Sequence, residues 1–411
     1  MNFFSKNLEF VNILKIIIFS LVIFFWDLRI ENLDLRLLII ILPLLSFLEK
    51  PAVLTSRYKN SFFYSCFIFI LIAIHYYFNL IFDNENLIFF PKNIFYLFIC
   101  FFAVLLNLDL IRNNLKSIIL FFITCFVIST IIYFSQNGYN YKFSMSCTYL
   151  GGWHGYTRFL FSENSHLAMT SVAIIVFYLL GNNFRKAISA ENILFLLFLI
   201  IAFINYTATF LVGLILSLCA LYISNYRIFT KKKIILVIFL LFSSGFLIFS
   251  DKECSSKIFK SQSSILGLEK NLGLSGAVFV NSLNIAKSTL GDRPFGWGFN
   301  RYEHAYKKYA IDEKNKFKLR SYHRKQFEWH LNTKDGSNNF AKLVTEFGIF
   351  SFILFIYFIY FSFSRKPTFQ EKSFLIPLVL TQLLRGAGYF NGGFLLCIVL
   401  MLGITFKKNN D

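Results

Sequence analysis

The residues best suited to chemistry in this 411-residue chain fall in four short stretches. The first is Arg158-Phe159-Leu160-Phe161-Ser162-Glu163-Asn164-Ser165-His166-Leu167, where an Arg, a Glu and a His gather at a predicted helix start. A carboxylate or imidazole there can take a proton from a hydroxyl and the guanidinium can hold an anion, whereas a plain Arg158–Glu163 pair would only anchor a loop. The second is Arg293-Pro294-Phe295-Gly296-Trp297-Gly298-Phe299-Asn300, followed by Arg301. Two glycines around a Trp permit tight turning with an arginine at the mouth, and no Gly-Lys-Ser/Thr follows, which excludes a nucleotide loop. The third runs from Asp335 through Ser337 and Asn338 to Glu346-Phe347-Gly348 and enters a long apolar run. An ionisable group just inside a membrane span is a functional candidate; the alternative is a Glu at interfacial depth that reaches water. The fourth is Arg385, with Gly386, Gly388, Tyr389, Gly392 and Gly393 close behind it.

Positioning these stretches falls to apolar helices. With 56% hydrophobic, 20% aromatic and only 15% charged side chains, the chain has too little polar surface for one or two water-soluble domains. Span-length apolar runs recur from end to end, which predicts an all-α integral membrane protein. Twelve candidate spans lie near 8–26, 35–48, 61–82, 91–107, 117–135, 165–180, 192–206, 208–224, 234–250, 343–363, 373–388 and 389–406. The short 35–48 run, which contains Pro43, and the closely joined pair at 192–206 and 208–224 are the weakest, so eleven spans remain an alternative. The first run, Leu8 to Trp26, lacks a small-residue cleavage site and does not read as a signal peptide.

Lys and Arg in short loops favour the cytoplasm. With the N-terminus inside, seventeen basic residues, among them Lys50, Arg112, Lys116, Arg227 and Lys372, fall on the cytoplasmic side, against Arg29, Arg36, Lys92, Lys142, Arg158 and Arg385 outside. Both termini are then cytoplasmic. Residues 1–250 hold nine spans and an outer loop near 136–163, residues 251–342 form a large periplasmic loop between spans 9 and 10, and residues 343–411 hold three spans and a tail. The large loop carries 17 Lys/Arg against 9 Asp/Glu, a net +8. On the outer side such charge suits a lipid headgroup or an anionic lipid-linked substrate, not nucleic acid, although a solvated loop has the same composition. Basic and aromatic residues mix along 300–309 and 322–330, as in a helix lying on a bilayer; aromatic faces also stack sugars.

Depth adds to the argument. Ser165 to Leu180 makes about 24 Å of helix, which places Glu163 and His166 at or below the outer surface. Lys372 to Arg385 makes only about 18 Å, which places Arg385 within membrane depth, where it needs an anionic partner. His75, mid-span, reads as a core or hydrogen-bonded histidine. No His/Cys pair has metal-ligand spacing, so neither metal nor cofactor is expected. Seven cysteines without CxxC spacing suggest no disulfide framework, with a Cys147–Cys254 bridge left open.

Taken in order, these features resemble the bacterial O-antigen polymerases and the related O-antigen ligases. The resemblance rests on about a dozen spans, a large loop in the C-terminal third, a Glu-x-Ser-His-Leu-like start at 163–167, a Pro-x-Gly-x-Gly element at 294–298, and a Ser-Asn then Glu-x-Gly run at 337–348. Ligases begin that run with His-Asn. Here Asn338 and Gly348 keep the spacing but Ser337 replaces the histidine, which favours the polymerase branch and argues against a histidine mechanism.

The resemblance implies transfer of a growing glycan from undecaprenyl diphosphate to a lipid-linked repeat unit at the periplasmic face of the inner membrane, for O-antigen or capsule. It implies membrane lipids, a chain-length regulator and a flippase as partners. Charge developing on the diphosphate can be met by arginine forks without a metal. Arg158, Arg293, Arg301 and Arg385 are the candidate diphosphate binders, with Arg293 ranked first; Glu163 and then Glu346 are the candidate bases; His166, Asn338 and Tyr389 complete the substrate-binding set. The rival readings are a ligase, disfavoured by Ser337, and a transporter or flippase without bond chemistry, which would need polar residues at mid-span rather than at the outer end.

Overall fold

A computed structural model describes residues 2–26, 29–30, 33–47, 51–82, 92–137, 161, 164–181, 189–204, 207–250, 274–310, 332–386 and 388–406. Apart from a two-residue ladder joining Arg29–Ile30 to Leu33–Asp34, the regular elements among these residues are helical. Three are long and apolar enough to cross a membrane, over Tyr58–Ile81, Leu115–Ile132 and Ala208–Ile228. Six shorter apolar helices accompany them. Outward-facing side chains such as Phe63, Phe67, Ile74 and Phe242 leave a broad apolar surface that suits lipid rather than water.

The elements are α1 (Asn2–Phe24), α2 (Ile41–Ser46, preceded by a 3-10 turn from Leu35), α3 (Pro51–Phe82), α4 (Lys92–Leu106), α5 (Leu108–Asn113), α6 (Leu115–Asn137), α7 (Asn164–Val176), α8 (Ala190–Ile204), α9 (Ala208–Asn225) and α10 (Lys231–Ser250). They continue as α11 (Leu274–Asp292), α12 (Tyr302–Tyr309), α13 (Asn339–Phe347), α14 (Phe350–Phe363), α15 (Phe369–Leu384) and α16 (Phe394–Phe406). The largest core cluster among the described residues is mainly Phe, Leu, Ile and Val contributed by helices from α1 to α16, with Phe122 ringed by Phe24, Phe25, Phe126, Phe161 and Phe198; a smaller one of Ile285, Trp297, Tyr302, Ala305 and Tyr306 lies under the glycine loop.

Several boundaries differ from the sequence reading, each for a local reason. The expected span 343–363 is two helices, because Gly348 sits at φ +54 and ends α13. The expected span 165–180 passes into one π-helical turn, Phe177–Gly181. The expected span beginning at 373 starts earlier, since Thr368 and Glu371 form a capping box that nucleates α15 at Phe369. That helix is 16 residues long, about 24 Å, and Arg385 caps it rather than lying inside it. Tyr389 likewise belongs to the 385–393 connection and not to α16.

Candidate functional site

The glycine loop and the Glu-x-Gly run, 50 residues apart in sequence, form one joint. Pro294 ends α11 by removing an N–H, and Gly296 (φ +80) and Gly298 (φ +98) turn the chain back. Trp297 N donates to Thr345 O at 3.1 Å, Gly298 N to Glu346 O at 2.9 Å, and Ile349 N to Pro294 O at 2.8 Å. The backbones approach so closely that a Cβ on Gly348 would overlap the Pro294 carbonyl and one on Gly296 would overlap that of Glu346.

Glu346 locks this joint from within. It is fully buried, and its carboxylate accepts from Asn300 N at 2.7 Å and from Tyr302 N at 3.1 Å, with Lys342 Nζ 3.0 Å away. The pair is an i,i+4 couple on α13, both members buried. Lys342 Nζ also donates to the Lys334 carbonyl and lies 5.2 Å from the Tyr389 ring and 5.6 Å from the Tyr302 ring. Burial, and after it the Tyr306 and Glu346 charges, push the Tyr302 hydroxyl well above its usual range. With its oxygens turned onto loop N–H groups, Glu346 has the geometry of a clamp.

The start of α13 is fixed just as firmly. Asn338 caps it by accepting from Ala341 N at 2.7 Å and donates from Nδ2 to Ser282 Oγ at 2.7 Å. Ser282 and Ser337 hydroxyls are 3.2 Å apart, so the head of α13 is held by a closed hydroxyl-amide network.

Two arginines meet at Trp297. The Arg293 guanidinium lies 3.7 Å from the Trp297 ring centroid, and Arg301 Nη1 donates to the Trp297 carbonyl at 3.2 Å. Arg301 is 4% exposed and Arg293 half-buried, so one acts from beneath the loop and the other at its rim. Tyr389 stacks on Phe299 at 5.6 Å and 9°. Gly386 N donates to Ser337 O at 3.3 Å, which brings the residue after Arg385 onto the head of α13.

The structure therefore brings Arg293, Arg301, Asn338, Glu346 and Tyr389 together, with Arg385 on the adjoining strap. His166 packs instead on Trp26, ring centroids 4.6 Å apart. Arg158 and Glu163 lie outside the described residues, as do Cys147, Cys254 and the 322–330 stretch. Sequence reasoning overlooked Lys342, whose signal was present as a basic residue one turn before Glu346. His75 is hydrogen-bonded, as its sequence position suggested: its Nε2 lies 2.8 Å from the Phe295 carbonyl. Among the described residues no three His, Cys, Asp or Glu side chains gather as a metal site. The arrangement sets two guanidinium groups on one loop, Arg293 at its rim over the Trp297 ring and Arg301 buried on the Trp297 carbonyl, and guanidinium groups are suited to holding anions.

Comparison with models of known protein families, with curated proteins and with solved structures finds no match.

Proposed function

We propose that the chain polymerises undecaprenyl-diphosphate-linked oligosaccharide repeat units at the periplasmic face of a bacterial inner membrane, through about twelve spans with both termini cytoplasmic. The observation that carries this reading is the convergence of Arg293 and Arg301 on Trp297, in a loop that Glu346 holds by two backbone N–H groups. In the reaction the anomeric C–O bond to the diphosphate breaks and an acceptor hydroxyl forms the new glycosidic bond. The leaving diphosphate keeps the electron pair, and the two guanidinium groups neutralise it without a metal. The hydroxyl proton passes to a carboxylate, for which Glu163 is the candidate, because Glu346 is engaged in holding the loop. Position 337 supplies a hydroxyl and no imidazole, which favours polymerase over ligase.

Deleting the gene and resolving surface polysaccharide on a gel tests the reading. A product of single repeats supports it, complete loss of attached chains indicates a ligase, and an unchanged ladder contradicts both. Cysteine labelling tests the topology that the reading needs: a site after residue 320 should react from the periplasm and one after residue 232 from the cytoplasm.

A further inference from the structure

A third wall of the glycine loop comes from α3, through a residue that the reaction chemistry above does not use. His75 Nε2 is 2.8 Å from the Phe295 carbonyl, and a carbonyl oxygen only accepts, so the ring proton is on Nε2 and is donated to the loop. The imidazole lies against Phe347, the last residue of α13, at 5.2 Å and 18°, and meets the edge of Phe350 at 5.9 Å. One turn along α3, Asn79 donates to the His75 carbonyl at 2.8 Å and lies under Gly298, where an added Cβ would be 3.4 Å from its own. The α3 helix thus touches the loop beside both of its glycines.

Packing alone does not call for histidine at this place. Its neighbours Ile74 and Phe78 are 61% and 55% exposed on an apolar helix, and a phenylalanine at 75 would stack on Phe347 equally well. What only the imidazole supplies is the donor to Phe295. In surroundings this apolar a hydrogen bond is stronger than it would be in water. The carbonyl belongs to the turn that also carries the Gly296 N–H to Arg293 O bond at 2.8 Å, so the position of Arg293 depends on it.

We propose that His75 is a positioning residue: through the Phe295 carbonyl it holds the glycine loop in the register that brings Arg293 and Arg301 to one substrate group. The part concerning the reaction rests on the polymerase reading; the part concerning the contact does not.

Two full-length variants in lipid nanodiscs separate donor from ring. His75→Phe keeps the ring and removes the donor, and His75→Gln keeps a donor at comparable reach and removes the ring. Each is followed by amide hydrogen exchange over 294–301 and by extension of lipid-linked repeats, with kcat and KM read separately. His75→Phe should speed exchange at Trp297 and Gly298 about tenfold and lower kcat about as much with KM little changed, as expected for one hydrogen bond lost in apolar surroundings. His75→Gln should stay near wild type in both. If His75→Phe does not accumulate, His75→Leu carries the same two readouts. Wild-type exchange and turnover in the donor-less variants would overturn the proposal, as would His75→Gln failing as badly as they do. Faster exchange in His75→Phe together with no extension by the wild type would leave the contact standing and remove the polymerase reading.

Discussion

The two ends of the helical bundle spend their polar residues differently. At the end away from the glycine loop, charged and polar side chains brace helix to helix. Arg112 Nε meets Glu371 at 2.5 Å, Lys116 meets Glu191 at 2.8 Å, Lys372 Nζ donates to Asn225 and to the Ser362 carbonyl at 2.8 Å each, and the fully buried Lys15 donates to Ser46 at 2.7 Å. At the glycine-loop end the corresponding residues shape irregular backbone. Glu346 holds two loop N–H groups, Asn338 holds the head of α13, and His75 holds a loop carbonyl. A buried charge by itself therefore does not mark a site in this protein. What sets the glycine-loop end apart is a buried charge, Glu346, whose partners are backbone N–H groups of a loop that carries arginines.

The largest effect expected from this contrast is at Gly348. Gly348→Ala would force a Cβ into the Pro294 carbonyl and part the two motif stretches, costing about 3 kcal/mol or more and abolishing chain extension. Thermal unfolding in detergent and an extension assay measure the two consequences. The next pair sets one end against the other. Glu346→Ala leaves Lys342 buried and uncompensated, so it should cost roughly 3 kcal/mol and eliminate extension. Glu371→Ala should cost about 1–3 kcal/mol, because Arg112 can reach water, yet keep extension at matched amounts of folded protein. Equal loss of activity per folded molecule in both would erase the distinction.

Smaller in stability but sharper in function are the arginines. Arg293→Lys and Arg301→Lys keep the charge and lose the planar fork, so each should lower extension about a hundredfold at normal protein levels. The smallest effect is expected at Lys15→Met, which replaces a bracing ammonium by an apolar chain of similar length. Stability should change by about 1 kcal/mol or less and extension not at all.

Much of this division was legible in the sequence, and the missing part has a physical explanation. Apolar runs announced the helices, whereas the break at Gly348 was missed: the run 343–363 is apolar on both sides of it, and only the positive φ at Gly348 and the Asn338 cap show a separate short helix. The joint between 294–298 and 345–349 was not legible, since backbone-to-backbone bonds leave no side-chain signature beyond the glycines that make room for them. Glu346 read as a candidate base for the same reason: its partners are the N–H groups of Asn300 and Tyr302, which every residue type but proline presents alike. The start of the helix before Arg385 was also not legible: it was counted from Lys372, whereas the Thr368 capping box starts it at Phe369.

The proposed function assigns the transfer to the glycine-loop end. It is tested most directly by giving purified protein in nanodiscs undecaprenyl-diphosphate-linked repeats in the presence of chelator, with Arg301→Ala and Lys15→Met assayed in parallel. A ladder of products from the wild type and from Lys15→Met, and none from folded Arg301→Ala, is the predicted result. No ladder from the wild type, a ladder restored only by magnesium, or an undiminished ladder from Arg301→Ala would contradict it.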